Sequence, residues 1–114
     1  MTPFEPGDIV LVLFPFTDFS TAKQRPCVVL SSSRFNRSHR DVILAAITSN
    51  VHDRPDENEY LLTDREQQMC GLPKVSMIKA AKIVTVDQRL VRVRLGRLPA
   101  ASLQRIRSLV HRII

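Results

Sequence analysis

Residues 8–14 read DIVLVLF, and this stretch decides the fold that the sequence predicts. After its first residue the stretch is continuously apolar, and it is rich in β-branched side chains. Turn-forming residues bound it, with Pro6 and Gly7 before it and Pro15 after it. Short apolar runs between such residues are typical of buried strands. The run therefore predicts the first strand of a small β-barrel.

Further strands and one helix are predicted along the chain. A loop over 15–24 leads to a second strand at 26–32, residues 33–40 indicate an exposed connection, and a third strand spans 41–49. An acidic loop over 52–59 precedes a short strand at 60–62, and residues 74–95 indicate a hairpin about Asp87-Gln88. From Pro99 onward, apolar residues recur at helical spacing: Leu103, Ile106, Leu109, Val110 and Ile113. These elements predict a mainly β fold with a C-terminal helix, arranged as a compact, partly open β-barrel.

The size of the chain bounds its organisation. Its 114 residues, 44% of them hydrophobic, suffice for one core and leave no room for a second, so we expect a single domain over 1–114. No apolar run approaches the roughly 20 residues of a membrane helix, and the N-terminus lacks the segments of a secretion signal. We expect a soluble, cytoplasmic protein with no membrane partner.

Cys27 and Cys70 form no Cys-x-x-Cys pair and are interpreted as small buried apolar residues.

The charge of the chain points to a polyanionic partner. The net charge is +6, and residues 67–114 hold ten basic groups against one acid, Asp87. Clustered Lys and Arg gain affinity for nucleic acids by displacing counterions from phosphates. The same composition also fits the solvated surface of an ordinary basic domain. Composition alone leaves both interpretations open.

Two classes of chemistry find no support in the residues. The three glycines lie in no Gly-rich turn, which argues against a phosphate-cradling loop. The three histidines are scattered, and none stands beside a carboxylate at ligand spacing on one predicted helix or strand, so we expect neither a metal nor another cofactor.

Arg25 and Thr48 are the polar residues that suggest chemistry. Arg25 stands before Pro26 at the start of the second predicted strand, and Thr48 stands at the end of the third. A guanidinium is permanently charged and suits a phosphate that gains negative charge during transfer. An arginine entering a strand is also commonly a surface ion-pair partner. From the residues alone, both interpretations stay open.

Five segments, in order, resemble the MazF/PemK endoribonuclease toxins of type II toxin–antitoxin systems, and together they cover nearly the whole chain. They are GDIVLVLFPFTDFS (7–20), KQRPCVVLS (23–31), AAITSN (45–50), GLPKVSMIKAAKIVTVD (71–87) and LGRL (95–98), followed by the terminal helix. The specific parts are Gly7-Asp8, Arg25-Pro26 and the Thr48 that ends a strand. The resemblance implies an SH3-like, partly open β-barrel of the MazF/PemK/CcdB kind, a homodimer, and metal-independent cleavage of single-stranded RNA. It also implies a cognate antitoxin with an acidic segment.

The resemblance carries residue roles to this chain. It implies that Arg25 and Thr48 are catalytic, and our hypothesis is that Arg25 contacts the scissile phosphate and shares in proton transfer while Thr48 hydrogen-bonds a non-bridging oxygen. A barrel that binds nucleic acid without cutting it, or a toxin of the same fold that acts on a protein, remains as an alternative. The residues predicted to contact RNA are Phe16, Asp18, Phe19, Ser20, Lys23, Ser49, Asn50 and His52.

Some predicted contacts carry an alternative. Phe16 packs against the barrel in the simpler interpretation, and Ser49 either assists Thr48 or ends the strand. His39 and His52 have the acid–base chemistry suited to neutral pH, although each is more simply an exposed loop histidine.

Two departures from the family pattern concern the expected RNA site. Many relatives carry a Gly-Ser-Glu type sequence in the first loop, where this chain has Phe19-Ser20-Thr21. Many also carry an acidic residue and a glutamine where this chain has Ala80-Ala81. We therefore expect a different substrate sequence preference, or a different activity, from those relatives.

Overall fold

Six strands and three helices make up the part of the chain that the computed structural model describes, residues 4–14, 23–51 and 54–114. The strands are β1 (Asp8–Phe14), β2 (Lys23–Val29), β3 (Asp41–Thr48), β4 (Glu59–Leu61), β5 (Met77–Asp87) and β6 (Val91–Arg97). The helices are α1 (Ser33–Ser38), α2 (Asp64–Met69) and α3 (Ala100–Ile113), and a 3₁₀ turn spans Gln88–Leu90. The predicted first strand, third strand and terminal helix are confirmed. Among the described helices, none is long and apolar enough to cross a membrane.

The strands form one antiparallel sheet in the order β4-β5-β3-β2-β1-β6. The predicted hairpin over 74–95 is wrong, because β5 pairs with β3 whereas β6 pairs with β1. The 3₁₀ turn explains the difference: the Asp87 side chain accepts from Arg89 N at 2.9 Å, and Leu90 and Val91 then pack on the core. After this turn the chain does not return along β5 but forms β6, which lies at the edge of the sheet beside β1. The curved sheet is not fully closed, which confirms the partly open barrel.

Both faces of the sheet are buried. The inner cluster, which fills the barrel, is formed by alternate residues of β1, β2 and β3 with one residue of β5: Val10, Val12, Cys27, Val29, Val42, Leu44 and Val86. The outer cluster uses the intervening residues, among them Ile9, Val28, Ala45 and Ile47, together with side chains of α3. Because consecutive strand residues face opposite sides, burial of both faces requires continuous apolar runs. This arrangement explains the sequence of residues 8–14.

Helix α3 covers the outer cluster. Leu103 and Ile106 are buried there, and complete burial of a side chain like Ile106 stabilises the fold by about 1.5–3 kcal/mol. Leu109 and Val110 pack against the same cluster as partly buried residues. Ile113 extends beyond the core and is 41% exposed, so the predicted apolar stripe is only partly covered.

Two predictions for residues 23–40 are wrong, namely the bounds of the second strand and the absence of a helix after it. Strand β2 lies at Lys23–Val29 instead of 26–32, because Leu30 N and Ser31 N both donate to Ile43 O and turn the chain towards α1. The predicted exposed connection is helix α1, capped by Ser32 Oγ, which accepts from Phe35 N at 3.1 Å. Its Asn36 is buried and donates to the carbonyls of Phe4 and Ser31.

Helix α2 was missed by the sequence prediction. Its first turn carries a capping box in which Thr63 Oγ1 accepts from Glu66 N and Glu66 accepts from Thr63 N. Glu66 is itself buried and accepts hydrogen bonds from Tyr60 Oη and Ser102 Oγ, which join α2 to β4 and α3.

The two cysteines are buried and free, as predicted. Burial raises the pKa of the Cys27 thiol to about 12 and that of Cys70 to about 11.

Candidate active site

Arg25 and Thr48 lie on neighbouring strands and on the same face of the sheet. The paired stretch of β2 and β3 ends at Cys27 and Ala46, which stand opposite each other. Arg25 and Thr48 follow this pair by two residues on their respective strands, so side-chain alternation places both on the inner face. Arg25 therefore belongs to β2 and does not precede the strand as predicted. The two residues stand at the rim of the barrel, where the apolar inner cluster gives way to polar side chains.

The Thr48 hydroxyl has a defined environment. The side chain is half-buried, and Oγ1 accepts a hydrogen bond from Asn50 N at 3.1 Å. A hydroxyl that accepts one bond still has its own proton to donate. Ser49 and Asn50 are exposed beyond the end of the strand. Thr48 is thus oriented by the turn that follows it, and among the described residues its hydroxyl proton has no acceptor, which leaves it for a ligand.

The Arg25 guanidinium is exposed, and it makes no hydrogen bond or ion pair with residues 4–14, 23–51 or 54–114. Lys23, two residues earlier on the same strand face, is also exposed. The β2 end of the site therefore offers two cationic side chains to solvent. Such side chains contact phosphate groups through charge-assisted hydrogen bonds.

Strand β5 adds two residues that the sequence did not single out. Met77 stands opposite Thr48, and Lys79 stands opposite Ala46. Lys79 Nζ lies 3.6 Å from Glu59 Oε2, an ion pair that joins β5 to β4 beside the site. No local sequence signal indicates that Met77 and Lys79 lie beside this site, because the register of β3 on β5 shifts at a bulge between Ala45 and Ala46.

The two alanines that mark a departure from the family pattern differ in exposure. Ala80 is buried, and its N–H donates to Asn58 O at 2.9 Å, whereas Ala81 is exposed near the bulge.

The structure separates His39 from this site. His39 caps the C-terminus of α1 just before β3, whereas Thr48 ends β3. Asp41 and Thr48 are the first and last residues of that strand, which puts them about 23 Å apart along it. His39 therefore lies away from Thr48, and its exposed place at the end of α1 fits the simpler interpretation of an exposed histidine. Phe16, Asp18, Phe19, Ser20 and His52 lie outside the described residues.

The described residues contain no group of three or more His, Cys, Asp or Glu side chains arranged to hold a metal ion.

Comparison with known proteins identifies the family. The family model of the PemK-like, MazF-like toxins of type II toxin–antitoxin systems matches residues 5–114. The chain belongs to this family. A sequence search among curated proteins finds no significant match.

Solved structures share the fold of this MazF-like toxin. One is an endoribonuclease from a mycobacterial species, 17% identical, which matches over 98% of this chain and 91% of its own with a TM-score of 0.75. A second is a mycobacterial endoribonuclease in complex with its cognate antitoxin, 16% identical over 96% and 92%, with a TM-score of 0.74. A third is a MazE–MazF structure from Deinococcus radiodurans, 21% identical over 98% and 96%, with a TM-score of 0.78.

Proposed function

We propose that this MazF-like toxin is an endoribonuclease that cuts single-stranded RNA without a metal ion and that Arg25 and Thr48 perform the cleavage. The observation that carries the proposal is their placement on facing ends of β2 and β3, with a guanidinium and a hydroxyl proton both available. Membership of the toxin family and the endoribonuclease names of structural neighbours support it.

RNA supplies its own nucleophile in this reaction. The 2′-oxygen forms a bond to phosphorus, the bond from phosphorus to the 5′-oxygen breaks, and the products carry a 2′,3′-cyclic phosphate and a 5′-hydroxyl. The 2′-hydroxyl gives its proton to water, and the 5′-oxygen receives one proton as it leaves. The protein needs to position the phosphate and stabilise the charge that develops on it.

Arg25 and Thr48 divide this task by their chemistry. The Arg25 guanidinium donates to the phosphate, and Thr48 donates its hydroxyl proton to a non-bridging oxygen. Arg25 is a poor base because a guanidinium keeps its proton at physiological pH. Its part in proton transfer is therefore to donate to the leaving 5′-oxygen, which is a stronger base as an alkoxide than a neutral guanidine is, and the guanidine then takes a proton from water.

The residues around this pair contact the rest of the strand in our proposal. Lys23 meets a neighbouring phosphate, and Ser49 and Asn50 offer hydrogen bonds to the RNA backbone or bases. Lys79 stands one row further along the inner face, where Glu59 offsets its charge. In this proposal the β2 side of the site contacts phosphates, whereas on the β4 side the charge of Lys79 is offset by Glu59.

A metal-independent cleavage assay tests the proposal. RNA is incubated with the wild-type toxin, Arg25→Ala or Thr48→Ala in excess EDTA, and the ends of the products are identified. Arg65→Ala serves as the matched control, since Arg65 is an exposed arginine of α2. We expect cyclic phosphate ends from the wild type and the control, and a loss of at least about 10²-fold in rate from either site variant. Tight binding of RNA by the wild type without cleavage would contradict the proposal and favour a binding barrel.

The proposed partners follow from the family and from the solved complexes. We propose a homodimer in the cytoplasm that is neutralised by a cognate antitoxin whose acidic segment competes with RNA for the same basic surface. A monomeric mass by light scattering at micromolar concentration would contradict the dimer. Simultaneous binding of antitoxin and RNA would contradict the competition.

A further inference from the structure

A cleft of about 790 Å³ opens at the end of the sheet where β3 begins, whereas Thr48 lies where β3 ends. Its walls come from the C-terminal part of α1, the link from α1 to β3, and the 3₁₀ turn after β5. Because β3 runs from this cleft towards the candidate active site, the length of that strand separates the two places. The volume lies within the range of about 300–1,000 Å³ that small-molecule sites occupy.

The cleft carries an excess of positive charge. Among the described residues, Arg37, Arg40 and Arg89 line it, with Asp87 as the one lining carboxylate. Arg89 is bound to Asp87, with Nε 3.1 Å from Oδ1 and Nη2 3.2 Å from Oδ2. Arg37 and Arg40 form no ion pair within the described part of the chain, although the charge of Arg40 lies near enough to Asp87 to help lower the pKa of that carboxyl. Two guanidinium groups therefore remain for an anionic ligand.

Gln88 holds the cleft walls together. Its side-chain Nε2 lies within hydrogen-bond distance of the carbonyl oxygens of Asn36, His39 and Asp41, at 2.8–3.1 Å. Its backbone N also donates to Arg40 O at 2.8 Å. A single residue of the 3₁₀ turn thus fixes the end of α1 and the start of β3. Because these bonds form within the protein itself, the cleft exists before a ligand binds.

The cleft also has an apolar side. Phe4 and Val91 line it and pack against the inner cluster. On the α1 wall, the imidazole of His39 stacks on Phe35 with ring centroids 4.1 Å apart and planes inclined by 11°. An apolar surface beside free guanidinium groups fits a ligand in which a phosphate adjoins a ring or a sugar.

We propose that this cleft binds the phosphate group of a nucleotide, held by Arg37 and Arg40, with the nucleoside against Phe4 and Val91. The site is separate from Arg25 and Thr48 and does not depend on the proposed cleavage. The nucleotide is either free in solution or the phosphorylated 5′ end of an RNA strand, since both present the same chemical group.

Calorimetric titration with adenosine 5′-monophosphate tests the proposal. The titrated protein is the full chain carrying Arg25→Ala, so that the other site is altered. We expect the affinity for the monophosphate to fall about tenfold in Arg37→Gln and about tenfold in Arg40→Gln. This is the change that loss of one charge-assisted hydrogen bond produces. Adenosine alone should bind more weakly than the monophosphate. Arg65→Gln is the matched control and should leave the affinity unchanged.

The outcomes separate the proposal from its alternatives. Absence of binding at millimolar nucleotide would overturn the proposal, as would an affinity that Arg37→Gln and Arg40→Gln leave unchanged. The source of the phosphate follows from short RNAs with a 5′-phosphate or a 5′-hydroxyl. A preference for the phosphorylated strand that disappears in Arg37→Gln identifies an RNA end, whereas equal affinity for both strands identifies a free nucleotide. Both substitutions are on exposed side chains, and circular dichroism verifies that the variants are folded.

Discussion

The carboxylate of Asp8 is wholly buried, and its Oδ2 lies 2.9 Å from Nη2 of Arg94. Arg97 contacts Oδ1 at 3.1 Å, and Glu5 N donates to Oδ2 at 2.9 Å. The pairing ties the first residue of β1 to β6, a strand at the edge of the sheet. Two arginines of the basic C-terminal half are therefore structural partners, so less of its positive charge is free for a nucleic acid than the composition indicates.

A variant that lacks both arginines should be less stable than a variant that lacks both arginines and the Asp8 carboxylate. In Arg94→Ala/Arg97→Ala, Asp8 is left as a buried charge without a cation, which costs about 3–5 kcal/mol in the free energy of unfolding. Adding Asp8→Asn to that double variant removes the charge, and we expect it to recover part of the loss. Urea unfolding of the wild type, the double variant and the triple variant measures both steps. A triple variant less stable than the double variant would contradict this account.

Glycine is required where α2 and its following turn meet β6. A Cβ on Gly96 would lie 2.3 Å from Met69 O, and a Cβ on Gly71 would lie 2.0 Å from Leu95 O, with φ of Gly71 at +69°. Both contacts are with backbone atoms, which do not rotate aside. We expect Gly96→Ala and Gly71→Ala each to lower the free energy of unfolding by at least about 2 kcal/mol. The exposed helix substitution Gln104→Ala is the control, and thermal unfolding is the measurement.

The parts of the fold that the sequence predicted are those whose causes are local. The run at 8–14 is apolar on both faces because both faces are buried, so its pattern is visible without the rest of the chain. Helix α1 is different: six residues with several polar side chains make a helix because Ser32 caps it and Asn36 reaches Phe4, which is 32 residues away in the sequence. No local pattern records that contact.

The same distinction holds for the candidate site. The chemistry of Arg25 and Thr48 was visible in the sequence, but the residues alone left Arg25 open to an ion-pair role, and the resemblance to the toxin family singled the pair out. Lys79 and Glu59 could not be found in this way, because their position beside Thr48 depends on how β5 pairs with β3 and β4. The hairpin prediction failed for the same reason, since partner choice between strands is a long-range property.

Glu66 should make the stability of the fold depend on pH. Burial by itself would raise the pKa of this carboxyl, but hydrogen bonds from Ser102, Thr63 and Tyr60 outweigh it and lower the pKa. A lowered folded-state pKa contributes stability that is complete above the unfolded-state pKa and is lost as the pH falls through the folded-state pKa. We therefore expect the free energy of unfolding to decrease on acidification below about pH 4.5, and Glu66→Gln to show a shallower decrease.

The measurement is urea unfolding at several pH values between about 7 and 3. At neutral pH, Glu66→Gln should be less stable than the wild type by about 1–3 kcal/mol, because it loses charge-assisted hydrogen bonds in a buried place. Glu57→Gln is the matched control, since Glu57 is exposed. Parallel pH profiles for the wild type and Glu66→Gln would count against the role assigned to this carboxylate.

The hydroxyl proton of Thr48 gives the sharpest test of how the proposed site works. Asn50 N already donates to Oγ1, so the proton of the hydroxyl is the part left for a phosphate oxygen. Thr48→Ser keeps that proton and should reduce the rate of RNA cleavage by less than about tenfold, whereas Thr48→Val keeps the shape and should reduce it about 10²–10³-fold. Single-turnover cleavage separates this effect from RNA binding, which we expect to change little in either variant. Equal rates for the serine and valine variants would mean that Thr48 positions the strand end and donates nothing to the phosphate.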